Sequence, residues 1–100
     1  MSDEINRDEL MALMADKLVL LRNNLKMTQG DLSKKVGVSR QTLSEYEGKK
    51  RPMSWNIFLA LLSLFREDKS TNDLLEHFGI YSYKLRNYLI TPAQNDDENN

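Results

Sequence analysis

The chain has 100 residues, contains no cysteine and carries a formal net charge of −1. This length predicts one small domain, and the lack of cysteine excludes a disulfide framework and a cysteine-based zinc site. The longest nearly apolar run, residues 57–65, is shorter than a membrane span, and the first residues are acidic, unlike the basic opening of a signal peptide. We therefore expect a soluble, cytoplasmic protein without a membrane partner.

Charge is distributed unevenly along the chain. Residues 26–55 contain seven lysines and arginines against three carboxylates, whereas residues 1–16 contain five carboxylates and one arginine. A basic segment is typical of a phosphate-binding surface, but ordinary solvated faces also collect charges of one sign. Charge alone supports both interpretations equally.

Helical periodicity dominates the apolar pattern, and no run alternates as a strand would, so the sequence predicts an all-α fold. The first helix is expected to follow a capping box formed by Asn6 and Glu9 and to run to about Asn24. Residues 1–6 are expected to be a flexible N-terminus, and residues 7–90 a single domain.

Two short helices separated by a glycine turn occupy the middle of the chain. Thr28 is predicted to cap a helix over residues 29–36, which Gly37 ends because glycine adopts the left-handed conformation without steric penalty. Ser39 then caps a third helix over about residues 39–48. A pair of this kind is the supersecondary unit that presents one helix to the major groove of DNA.

The third helix has a core face and a polar outward face. Leu43 and Tyr46 are expected to point at the core. The outward face and its flanks carry Arg40, Gln41, Thr42, Ser44 and Glu45. Arginine can bond bidentately to guanine and glutamine to adenine. Every surface helix exposes polar residues, however, so this face alone does not establish DNA binding.

The next two elements are also predicted to be helices. The fourth should start near Ser54, and because residues 57–62 are all apolar, it must be buried on more than one side. A fifth helix is expected from Ser70 or Thr71 to Phe78.

The C-terminal segment leaves alternatives open. Residues 81–90 can form a final helix, which we favour, or a strand. Residues 91–100 are polar, acidic and without periodicity, so they predict a disordered tail.

Residues 27–55, MTQGDLSKKVGVSRQTLSEYEGKKRPMSW, resemble the lambda-repressor-like (Cro/Xre-type) helix-turn-helix family. The resemblance rests on the Thr-Gln start, the Gly-Val-Ser turn, a leucine on each short helix, the Glu before a Gly-Lys loop, and the proline. It implies a compact five-helix domain with a recognition unit at residues 28–48, here with an extended first helix and an additional C-terminal helical segment. The implied function is a sequence-specific transcriptional regulator, a repressor, that inserts the third helix into the major groove of double-stranded DNA. Neither a cofactor, a metal nor enzymatic activity is implied.

The resemblance assigns contact residues position by position. It implies base-reading roles for Arg40, Gln41, Ser44 and Glu45, where Glu45 could accept from cytosine or instead exclude some sequences by repelling phosphate. It implies phosphate contacts for Gln29, Ser39, Thr42, Lys49, Lys50 and Arg51. The loop glycine stands at position 48, one place earlier than the family places it, and this affects where the three loop cations lie.

The assembly and the partner class remain alternatives at this stage. Specific sites usually contain two half-sites, so we expect a homodimer that uses surplus apolar surface on the first helix, the fourth helix and residues 80–90. Residues 80–90 could instead cover the fourth helix of their own chain. The rival function is a protein-interaction module with a protein partner, such as an antitoxin or anti-repressor, and the acidic ends favour it slightly.

Overall fold

The computed structural model describes residues 4–93. This part of the chain contains six α-helices and no strand, which confirms the all-α prediction. The helices are α1 (Arg7–Asn24), α2 (Gln29–Val36), α3 (Arg40–Glu47), α4 (Trp55–Phe65), α5 (Lys69–His77) and α6 (Tyr83–Ile90). None of them is long and apolar enough to cross a bilayer. The outermost parts of the two predicted flexible ends, residues 1–3 and 94–100, lie outside the described residues.

One hydrophobic core joins all six helices. Its fully buried side chains include Met14 on α1, Leu32 on α2, Leu43 on α3, Phe58 on α4, Leu75 on α5 and Leu85 on α6. Complete burial of one such side chain stabilises a fold by about 1.5–3 kcal/mol. Apolar packing therefore holds the two short central helices against the rest of the domain.

Side-chain caps set the first helix boundaries where the sequence predicts them. The Asn6 side chain accepts a hydrogen bond from the backbone N–H of Glu9 at 3.0 Å, and α1 begins at the next residue after Asn6. Thr28 and Asp31 form a complete capping box at α2, in which each side chain accepts from the other residue's backbone N–H. Both starts are local features, readable from residue type and spacing alone.

The C-terminal part corrects two predictions. Helix α5 begins at Lys69, one or two residues earlier than expected, because the Asp68 carboxylate caps it. Residues 83–90 form a sixth helix that starts at a Ser82 cap, which confirms the helix favoured for this segment and excludes the strand alternative; the described residues thus hold six helices rather than five. A serine cap supplies the hydrogen-bond acceptor that a helix N-terminus needs.

The C-terminal segment packs onto the core of its own chain. Ile80 and Leu85 are both fully buried. Arg7 links α6 to the start of α1, since its Nη2 atom donates to the Tyr88 hydroxyl at 2.6 Å. The same guanidinium lies 4.7 Å from the ring centroid of Trp55 on α4. Residues 80–90 therefore cover part of the domain, while the opposite side of α6 faces solvent.

Candidate nucleic-acid interface

A tight turn sets α3 at an angle to α2. Gly37 has a φ of +81°, and the N–H groups of Gly37 and Val38 both donate to the Ser33 carbonyl, at 2.9 and 3.0 Å. Ser39 then starts α3, because its Oγ atom accepts from the Thr42 N–H at 3.0 Å. A positive φ costs most residues about 1–2 kcal/mol, and glycine avoids this cost. The predicted turn is therefore present, with glycine at the position that requires it.

Helix α3 buries one face and exposes the other. Leu43 is 0% and Tyr46 is 6% exposed, so both anchor the helix in the core as predicted. Arg40, Gln41 and Ser44 are exposed, and none of their side chains forms a hydrogen bond or ion pair with another residue of 4–93. Three polar side chains are thus available to a ligand on the outward face.

Two other predicted contact residues have a structural use at the N-terminus of α3. The Ser39 hydroxyl donates to the Thr42 hydroxyl at 2.9 Å and also accepts from the Thr42 backbone N–H. These bonds satisfy one of the N–H groups that a helix start leaves unpaired. A contact of Ser39 and Thr42 with phosphate stays a prediction.

A largely buried ion pair fixes the other end of α3. Arg22 Nε lies 2.6 Å and Nη2 3.2 Å from the two carboxylate oxygens of Glu47, so the pair is bidentate. Their side chains are only 13% and 6% exposed. Arg22 Nη1 also donates to the Met27 carbonyl at 2.9 Å, which links the loop after α1 to the same pair. Bidentate arginine–carboxylate contacts combine strength with a fixed geometry.

Gln29 belongs to this same network. Its Nε2 atom donates to Glu47 Oε1 at 2.9 Å, so the start of α2 is joined to the end of α3. Gln29 therefore braces the outward helix, whereas its phosphate contact stays a prediction. Arg22 and Glu47 are absent from the predicted site residues. Glu47 could be noticed because it precedes the glycine of the loop, but no sequence spacing pairs it with Arg22.

The loop glycine comes one place early, so the left-handed position that closes α3 falls on Lys49 instead of on a glycine. Lys49 has a φ of +60°, whereas Gly48 remains at −86°. The Lys49 N–H donates to the Tyr46 carbonyl at 3.1 Å and the Lys50 N–H to the Glu45 carbonyl at 2.8 Å. This is the Schellman arrangement, in which the left-handed position is usually glycine. Lys49 occupies it here, and its side chain is directed by a fixed backbone.

Two of the three loop cations have carboxylate partners. Lys49 Nζ lies 2.5 Å from Asp16 on α1, and Arg51 Nε lies 2.7 Å from Glu45 on α3. The hydrogen bond and charge of Lys49 lower the pKa of the Asp16 carboxyl below its ordinary value. Lys50 forms no ion pair with any residue of 4–93. The Arg51–Glu45 pair brings a predicted base reader, Glu45, together with a predicted phosphate contact, Arg51.

The outward face of α3 and the loop after it present hydrogen-bonding side chains and positive charge. Among residues 4–93, no group of three or more histidine or acidic side chains is placed to hold a metal ion. The side chains on the outward face of α3 can donate and accept hydrogen bonds, and the adjoining loop carries three cations. Such a combination suits a polyanion whose surface also carries hydrogen-bond donors and acceptors.

The central unit of the chain matches a known protein family. Residues 18–53 match the family described as Helix-turn-helix. The matched stretch includes the second half of α1, both short helices and the loop as far as Met53. The resemblance noted in the sequence is thereby confirmed for this stretch. In the same comparisons, no curated protein and no solved structure matches the chain.

Proposed function

We propose that this protein is a DNA-binding regulator and that it reads a specific DNA sequence through α3; the match of residues 18–53 to the helix-turn-helix family supports this. The observation that carries the proposal is the division of α3 into two faces. Leu43 and Tyr46 hold the helix in the core, while Arg40, Gln41 and Ser44 face solvent without partners among residues 4–93. An α-helix presented in this way fits the major groove of B-form DNA.

Sequence choice would come from the N-terminal part of α3. Arg40 can donate two hydrogen bonds to the N7 and O6 atoms of guanine, and Gln41 can pair with the N6 and N7 atoms of adenine. Each good bidentate pair contributes about 1–3 kcal/mol of discrimination against a wrong base. Ser44 lies one turn further along the same face and would make a secondary base contact.

Affinity would come from phosphate contacts around this helix. Lys50 is exposed without an ion-pair partner in 4–93, so it is the loop cation most available to phosphate. Ser39, Thr42 and Gln29 lie at the N-termini of α3 and α2, where free N–H groups favour an anion. Such contacts position the protein without reading sequence, and they make binding dependent on salt.

We further propose that the protein acts as a repressor and binds DNA as a homodimer. One recognition helix reads a short site, whereas two copies read two half-sites about one helical turn apart. A bound dimer would cover its site and exclude other proteins from it.

The dimer interface is proposed at the groove between α4 and α6. The groove has a volume of about 520 Å³, and its apolar walls are formed by Leu59, Leu62, Leu89 and Ile90. Ile90 is 69% and Leu89 42% exposed, which is unusual for side chains of this kind unless a partner covers them. Glu67 and Arg86, which also line the groove, carry opposite charges, so two copies related by a two-fold axis could pair them reciprocally.

A protein-interaction role is the second candidate, because two loop cations already have carboxylate partners. Lys49 and Arg51 are paired with Asp16 and Glu45, which reduces the positive charge offered to DNA. An antitoxin or anti-repressor could use the same fold with little affinity for DNA of its own.

Binding of the isolated chain to duplex DNA of random sequence separates the two candidates. The DNA-binding proposal predicts binding that weakens steeply as salt rises from about 0.05 to 0.2 M, because condensed counterions are released. Lys50→Gln should weaken binding and flatten the salt dependence, while Lys84→Gln, which removes the same charge from α6, should change neither. Absence of salt-sensitive binding by the wild-type chain would contradict the proposal and favour the interaction module.

A further inference from the structure

The loop that follows α3 is linked to a residue outside the helix-turn-helix stretch. Asp16 lies on α1, two positions before the matched residues 18–53 begin. Its Oδ1 atom accepts from Lys49 Nζ at 2.5 Å. A residue of α1 that precedes the matched stretch thus supplies a carboxylate to a cation that the resemblance assigns to phosphate.

The backbone conformation of Lys49 is fixed, and this limits where its side chain can reach. Lys49 holds the left-handed position of the Schellman arrangement, and the bonds from Lys49 and Lys50 to the carbonyls of Tyr46 and Glu45 fix it there. Only the rotatable bonds of the side chain can move the ammonium group from Asp16 to a phosphate. An exchange between these two anions needs no change of the fold.

Asp16 has a second cation that would remain after such an exchange. Lys17 Nζ lies 3.6 Å from Asp16 Oδ2, and it also lies 4.7 Å from the ring centroid of Phe78. The Asp16 carboxylate is 45% exposed, so water reaches it as well. Loss of Lys49 to DNA would therefore leave Asp16 solvated and partly neutralised, which keeps the cost of exchange low.

We propose that Asp16 competes with DNA phosphate for Lys49 and thereby lowers the affinity of the protein for DNA of every sequence. The proposal rests on the DNA-binding function proposed above. Arg51 is likewise paired with a carboxylate, that of Glu45 on α3. With both pairs intact, Lys50 alone among the loop cations binds phosphate without giving up a partner within residues 4–93.

A double-mutant cycle tests the competition directly. Binding to a duplex of fixed sequence and to one of random sequence is measured over a range of salt for wild type, Asp16→Asn, Lys49→Gln and the double variant. Asp16→Asn should tighten binding to both duplexes by about two- to five-fold, the range of an exposed ion pair, and steepen the slope of log affinity against log salt by up to about 0.9. In the Lys49→Gln background the same substitution should have no effect.

Asp8→Asn is the matched control for long-range charge. Asp8 lies on the same side of α1 and lines the same groove of about 860 Å³ as Asp16 and Lys49, but it pairs with no cation of 4–93. Its substitution should leave affinity within two-fold of wild type, an effect below about 0.4 kcal/mol by conversion. Both aspartates are exposed, so neither variant is expected to unfold the protein.

Three results would overturn the competition. The first is unchanged or weaker binding by Asp16→Asn, which would make Asp16 neutral or a positioning residue for Lys49. The second is tightening that persists in the Lys49→Gln background or is equalled by Asp8→Asn, since both indicate a general charge effect. The third is absence of DNA binding by the wild-type chain, which overturns the proposed function as well and is recognised before any variant is compared.

Discussion

Arg22 holds Glu47 across the helix-turn-helix unit, with Arg22 Nε 2.6 Å from Glu47 Oε2. The pair joins α1 to the last residue of α3, and Gln29 connects α2 to the same carboxylate. Short helices such as α2 and α3 are marginal by themselves and depend on tertiary contacts. The orientation of the outward face of α3 thus depends on this network as well as on the apolar core.

Glu47→Ala should lower the free energy of unfolding by about 3 kcal/mol, because it leaves the largely buried guanidinium of Arg22 without its anion. Asp73→Ala is the control, since it breaks the exposed Lys69–Asp73 pair and should cost less than about 0.5 kcal/mol. Urea denaturation at neutral pH measures both. Equal effects of the two substitutions would show that the Arg22–Glu47 network does not stabilise the unit.

Two of the left-handed residues of the unit, Gly37 and Lys49, should change stability in opposite directions when they are substituted. Gly37→Ala should lower the free energy of unfolding by about 1 kcal/mol through backbone strain alone, since no atom lies within 4 Å of the added Cβ. Lys49→Gly should raise it by about 0.5 kcal/mol, because relief of the positive φ exceeds the entropy that glycine gains in the unfolded chain. Urea denaturation again decides, and a stabilising Gly37→Ala would refute the turn described here.

The Asp68 cap should contribute to acid sensitivity. Hydrogen bonds from the Ser70 hydroxyl, and from the backbone N–H and hydroxyl of Thr71, lower the pKa of the Asp68 carboxyl below its ordinary value of 3.8. A lowered pKa in the folded state gives stability that is present above pH 3.8 and is lost as pH falls through the folded value.

Asp68→Asn separates capping from titration. Asparagine caps helices about as well as aspartate but does not titrate. The variant should therefore unfold near the wild-type urea concentration at about pH 7 and lose less stability than wild type as pH falls from about 4 to about 2.5. An unchanged acid dependence would contradict the role assigned to this carboxylate.

The proposed dimer interface can be distinguished from the exposed apolar residues of α1. Ile90→Glu should convert the dimer to monomer, because it places a charge beside the apolar groove between α4 and α6. Leu20→Glu on α1 is the matched control and should leave the dimer intact; Leu20 is 47% and Ile90 69% exposed, so neither substitution disturbs the core. Sedimentation equilibrium gives the mass. A monomeric wild type, or a dimer lost only in Leu20→Glu, would contradict the interface.

Local chemistry explains why much of the fold could be predicted from the sequence. The caps at Asn6, Thr28 and Ser39 act within three residues, and Gly37 acts through its own φ, so residue type and spacing were sufficient. The start of α5 was misplaced because Asp68, a good cap, precedes two further residues, Ser70 and Thr71, that also cap helices. When several neighbouring residues can cap a helix, the predicted first residue can be wrong although the helix itself is predicted correctly.

Long-range partners could not be predicted in the same way. Arg22 and Glu47 are separated by 25 residues, and Lys49 and Asp16 by 33, so no periodicity relates them. The final segment was ambiguous because a short run rich in tyrosine and leucine suits a helix or a strand, and the burial of Ile80 and Leu85 in the core accompanies the helix. The exposure of Arg40 and Gln41 was easier to predict, since helix geometry fixes the direction of their side chains.

Selection of bound sequences from a pool of random duplexes tests the central claim most directly. Wild type should enrich one motif with two-fold symmetry, and Arg40→Ala and Gln41→Ala should each relax the preference at particular positions of that motif. Lys50→Ala should retain the motif and weaken binding to all sequences alike, because phosphate contacts carry no sequence information. A wild-type chain that enriches no motif, or variants at Arg40 and Gln41 that enrich the unchanged wild-type motif, would contradict the claim that α3 reads DNA.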